Sequence, residues 1–138
     1  MADDRLARMF EMKRRAWCWG PAWAIMAAIF ALSSMSTLPP SPGGMDDSVA
    51  HAAAYGLLGA ALLRGLAAGR LRGVTLGGVW LAVLLATLYG VTDEGHQWFV
   101  PGRTAEVADL VADAAGAAVA TGLIWGWRCW SIVSLGRP

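Results

Sequence analysis

Asp47, His51 and Tyr55 stand at successive steps of four residues, a spacing that stacks all three on one face of a helix. A carboxylate one turn from an imidazole can fix its tautomer or raise its basicity, as general bases and metal ligands both require. In the plainer arrangement Asp47 and Ser48 cap the helix, and His51 is an interhelical hydrogen-bonder. Further along, Tyr89, Asp93 and Gln97 repeat the four-residue step, with Glu94 three before Gln97. Arg103 follows the Pro101-Gly102 turn. Its planar fork suits a ligand's phosphate or carboxylate, and equally an internal bridge to Glu94, Glu106 or Asp109. Glu106, Asp109, Asp113 and Gly116 come at intervals of three, four and three, within roughly an 80° arc of a helix. Asp113 lies about 10 Å along the axis from Glu106, with Val, Ala and Gly for neighbours. A carboxyl so placed faces a bundle interior and is paired or protonated.

These groups sit in a chain of 138 residues that is 57% hydrophobic and 15% charged, where soluble domains carry about 25% charge. Five of its ten carboxylates, one of its two histidines and its only glutamine fall between Asp93 and Gly116. Ionisable groups this dense between apolar runs are costly near lipid, so a functional site is expected there. The net charge of +1 gives nucleic-acid binding no electrostatic support. Cys18 and Cys129 lack metal-ligand spacing and read as small buried or interfacial hydrophobes. No H-E-x-x-H or comparable pattern occurs, so neither a metal nor a cofactor is expected from spacing.

The elements that position these residues are apolar runs of membrane-spanning length, which is about 20 residues for a helix. A basic segment over residues 1–15 precedes a first run, 16–38, with Pro21 in its first turn and Trp17, Trp19 and Trp23 as interfacial anchors. A cleaved signal peptide shares the basic-then-apolar pattern, but the run is long and no A-x-A site follows, so a retained span is expected. Pro39–Gly44 is a breaker cluster. Runs over 48–66, 74–97 and 104–127 follow, and glycine pairs Gly65/Gly69 and Gly122/Gly126 are weak candidates for helix contacts. The expected fold is an all-α integral membrane four-helix bundle, one domain over 1–138, multi-pass in the cytoplasmic membrane. With the N-terminus inside, ten of the eleven Lys and Arg are cytoplasmic and only Arg103 is outside, so both termini are expected in the cytoplasm and the polar site outside.

At these residues the chain resembles the VanZ-like family of small bacterial membrane proteins. The pattern of Asp, then His four residues on, then Tyr reads here as Asp47, His51 and Tyr55. Glu-x-x-Gln and Pro-Gly-Arg read as Glu94–Gln97 and Pro101–Arg103, and Asp-x-x-x-Asn-x-x-Gly reads as Asp109 to Gly116. The resemblance covers roughly residues 25–125. Asp113 stands where it implies Asn, so Asp113 can serve as a protonated hydrogen-bonding substitute. The resemblance implies a cell-envelope role, with low-level resistance to teicoplanin and other glycopeptides, and does not imply a reaction.

Three functions fit. In the first, the protein binds or alters a lipid-linked or cell-wall-precursor ligand at the outer leaflet; Arg103 holds an anionic group while Gln97, Tyr55 and Asp113 help to bind. In the second it is an intramembrane hydrolase or transferase, with His51 as base or nucleophile tuned by Asp47, and Glu94 or Asp109 as acid. A metal-dependent version with His and carboxylate ligands is only weakly signalled. In the third, the polar network merely holds helices together and the activity is partner binding. The partners expected are the lipid bilayer and a lipid-linked or cell-wall-precursor ligand, without nucleic acid, and proton-coupled transport is disfavoured because four short spans leave little room for alternating access.

Overall fold

A computed structural model describes residues 2–37 and 46–135. It contains helices α1 (Ala2–Ser33), α2 (Asp47–Leu66), α3 (Leu76–Gln97) and α4 (Val107–Leu135), with no strand among the described residues. All four are long and apolar enough to cross a membrane. Large apolar side chains such as Trp23, Phe30, Leu57, Trp80 and Leu123 are exposed, whereas Asp93, Glu94, Gln97, Asp109 and Asp113 are buried. A protein surrounded by lipid requires that partition, since a charge facing acyl chains has nothing to solvate it. The breaker cluster Pro39–Gly44 lies outside the described residues.

Helix α1 begins well before the apolar run, because the basic segment is itself helical. Arg14 and Arg15 each reach Glu11 one turn away, at 3.1 and 3.6 Å, a spacing that supports a helix in water. Pro21 is therefore inside α1, not in its first turn, and it deprives the Trp17 carbonyl of its usual N–H donor. The helix stops at Ser33, where the hydroxyls of Ser33 and Ser34 both donate to the Phe30 carbonyl, at 3.1 and 2.7 Å. Side-chain hydroxyls that occupy a carbonyl in this way compete with the next helical turn.

The tightest seam runs between α2 and α4. A Cβ on Gly116 would collide with the Ala52 carbonyl, and one on Gly59 would lie 3.0 Å from Ala117. Lipid gives helices no hydrophobic drive to associate, so close backbone packing over small residues takes its place. The glycine pairs indicated by spacing behave differently. Gly122 and Gly126 face open space, and Gly65 packs on Trp19. Gly69 terminates the α2 turn with φ 73°, its N–H bonding the Arg64 carbonyl at 2.9 Å. After a 3-10 turn at Leu71–Gly73, Thr75 caps α3 by accepting from the Gly78 N–H at 3.0 Å.

Contacts between distant segments order the two ends. Arg64 lies over the Trp17 ring at 5.1 Å, next to the α2–α3 connection. At the other end Ser34 meets His96, and Gly102 packs on the Ser36 carbonyl. The starts of α2 and α4 and the end of α3 thus share one end of the bundle, where the polar residues gather.

Candidate functional site

The close α2–α4 seam sets the geometry of His51. Its Nδ1 lies 3.0 Å from Asp113 Oδ1. With the carboxylate accepting, Nδ1 carries the proton, and in the neutral ring Nε2 keeps its lone pair. Spacing along α2 points to Asp47 as the partner, but Asp113 holds the ring, because small residues bring α4 within a side chain's reach. Asp113 is fully buried, and its Oδ2 has no partner. Gly90 of α3 makes the room for it: a Cβ there would sit 2.6 Å from Oδ2. One turn away, Asp109 Oδ1 accepts from Ser48 Oγ at 3.1 Å. Ser48 thus bonds across to α4 instead of capping α2, and the N-cap residue Asp46 makes no side-chain cap bond. Asp47 itself is exposed.

Helix α3 supplies a second set. Gln97 Nε2 donates to Asp93 Oδ2 at 3.2 Å, while Asp93 Oδ1 is buried without a partner. Glu94 turns the other way, and its Oε2 accepts from the Glu106 backbone N–H at 2.9 Å. That N–H immediately precedes α4, so Glu94 satisfies a donor that the helix start leaves open. Glu106 is exposed and accepts from Thr104 Oγ1 at 3.2 Å. His96 lies apart from the others; it packs on Phe30 with centroids 4.8 Å apart.

A cavity of about 110 Å³ opens between these groups, room for several waters. Its polar lining is Asp47, His51, Tyr55, Asp93, Gln97 and Arg103, and α1 closes it with Ile29, Leu32 and Ser33. Arg103 forms no ion pair with a described residue, and its Nε is buried without a partner. The internal bridges to Glu94, Glu106 and Asp109 are thus not made. The Tyr55 hydroxyl is likewise buried and unpartnered, and its ring stacks with His51 at 6.2 Å and 4°. Glu94, Asp109 and Asp113 stand outside the lining. Asp93 belongs to it although the Glu-x-x-Gln pattern favours Glu94; its signal in the sequence is the four-residue step to both Tyr89 and Gln97. Spacing along one helix cannot reveal a further grouping: ligand-capable atoms of Asp47, His51 and Asp109 lie within 4.8 Å of one another.

A separate apolar cleft of about 200 Å³ lies between α1, α2 and α3, lined by Trp23, Met26, Leu62 and Leu85 among others. Tyr89 spans it, donating to the Met26 carbonyl at 2.7 Å.

The family model described as VanZ/LLP1 matches residues 47–130. The chain belongs to the VanZ/LLP1 family. That match spans α2, α3 and most of α4, and with them every ionisable residue of the site, while α1 precedes it. No curated protein and no solved structure matches the chain. In this VanZ/LLP1 protein the matched segment carries the ionisable groups of the site, and α1 adds lining to both the polar cavity and the apolar cleft.

Proposed function

We propose that this multi-pass membrane protein binds or modifies a lipid-linked envelope ligand at the outer face of the cytoplasmic membrane, with both termini inside. The observation that carries the reading is Arg103, a guanidinium without an ion-pair partner among the described residues that lines a polar cavity. A planar fork in that setting matches the oxygens of a phosphate or carboxylate. The separate apolar cleft between α1, α2 and α3 suits the chain of a lipid whose headgroup occupies the polar cavity. Tyr55, Asp93 and Gln97 offer donors and acceptors for the rest of that headgroup. An envelope role of this kind accords with low-level tolerance to teicoplanin.

A second reading, hydrolysis or group transfer on the same ligand, draws on the His51–Asp113 hydrogen bond. A carboxylate on Nδ1 orients the ring and leaves Nε2 as a base. Asp113, not Asp47, then tunes His51. Asp109 is the nearer candidate acid, since Glu94 is committed to the backbone of Glu106.

Lipid and cell-wall precursor profiling separates these readings. Cells with wild-type protein are expected to differ from cells with Arg103→Ala or His51→Ala in one lipid-linked species, and teicoplanin tolerance is expected to fall in the variants. If His51→Ala alone leaves the profile unchanged while Arg103→Ala alters it, the protein binds without chemistry. Identical profiles in all three strains contradict both readings.

A further inference from the structure

The polar end of the bundle carries more negative charge than its own cations balance. Asp47, Asp93, Glu94, Asp109 and Asp113 converge from three helices, with Arg103 and His51 as the cationic groups among the described residues there. Buried carboxylates of this density call for protons or for a cation. Within the cluster, Asp47, His51 and Asp109 bring ligand-capable atoms to within 4.8 Å of one another. Two ligands of a tetrahedral zinc ion stand about 3.4 Å apart, so side-chain adjustments of about 1 Å close this group around an ion.

We propose that Asp47, His51 and Asp109 form a binding site for one divalent transition-metal ion, with Asp113 as the residue that positions the imidazole. Three features support it. The Asp113 carboxylate accepts a hydrogen bond from His51 Nδ1–H at 3.0 Å, which leaves Nε2 as the ligand and reproduces the carboxylate–histidine–metal arrangement common in such sites. Ser48 holds one oxygen of Asp109 at 3.1 Å, orienting that carboxylate in the same manner. Asp47 and His51 line their cavity together with Tyr55, whose hydroxyl is buried without a partner among the described residues. A group left unpartnered there points to something that occupies the cavity, such as water or a ligand oxygen on the metal's open position. One nitrogen and two carboxylates make a mixed donor set, suited to Zn²⁺ or Mn²⁺ more than to Ca²⁺. The inference does not rest on the lipid-linked ligand proposed above, because the ion is measured directly.

The full chain in lipid nanodiscs, prepared with a histidine-free tag and stripped with chelator, is titrated with Zn²⁺ and Mn²⁺ alone. Bound metal is counted by mass spectrometry of the ions, and affinity is read by calorimetry. One ion per chain is expected. His51→Ala and Asp109→Asn each weaken binding at least tenfold, and Asp113→Ala weakens it by roughly 10–100-fold without touching the ion. His96→Ala leaves binding unchanged. Asp47 is exposed, so Asp47→Asn keeps the fold and also weakens binding at least tenfold. The proposal is overturned if the wild-type chain binds no more ion than His51→Ala does. It is equally overturned if a folded Asp47→Asn chain binds one ion with unchanged affinity.

Discussion

His51 is the residue on which the site turns, and Asp113 is what holds it. Asp113→Ala leaves Nδ1–H without an acceptor inside the bundle, at a cost of about 1–3 kcal/mol. Asp113→Asn keeps an oxygen toward Nδ1 and is expected to cost less than half as much, and thermal unfolding in detergent compares the two. The Asn implied by the family resemblance is thus a plausible neutral substitute for holding the ring. Tyr55 provides a different kind of test. Its hydroxyl makes no bond to a described residue, so Tyr55→Phe is expected to hold or raise the melting temperature. Under the proposed envelope role, a simultaneous loss of teicoplanin tolerance assigns the hydroxyl to a ligand, whereas unchanged tolerance assigns it no role. That Asp47, His51 and Tyr55 share a face follows from their spacing alone. The bond to Asp113 does not, since it depends on how closely α4 approaches α2, and periodicity within one helix carries no information about its neighbour.

At the scale of the elements, the site exists because small residues line the α2–α4 seam. Gly116→Val forces a side chain against the Ala52 carbonyl. It is expected to destabilise the bundle by about 1–3 kcal/mol or more and to separate His51 from Asp113. Gly122→Val, facing open space on the same helix, is the control and is expected to have no comparable effect on the melting temperature. Glu94 belongs to the same scale. Glu94→Ala removes the acceptor for the Glu106 N–H and is expected to cost about 1 kcal/mol, as loss of a helix cap does, whereas Glu94→Gln retains an acceptor and most of the stability. If Glu94→Ala melts with wild type, the tie is dispensable. Hydropathy suffices for the number and order of the helices, because only apolar runs of this length can cross a bilayer. It does not suffice for their ends. The basic segment continues α1 back to Ala2 through its ion pairs with Glu11, and Ser33 and Ser34 end that helix through side-chain bonds that no hydropathy window registers. The glycines that matter, Gly59, Gly90 and Gly116, are distinguished only by what faces them.

For the molecule as a whole, apolar surface faces outward and carboxylates face inward at one end. A cavity there is lined by an arginine with no ion pair among the described residues, and a separate apolar cleft lies between α1, α2 and α3. The proposed lipid would place its headgroup in the first and an acyl chain in the second. The most direct measurement is native mass spectrometry of the detergent-released protein with extraction of the lipid that stays bound. The wild-type chain is expected to retain a phosphate- or carboxylate-bearing lipid, and Arg103→Ala to retain at least tenfold less of it at equal folded content. Equal retention of the same lipid by both, or none by either, would contradict a site built around Arg103.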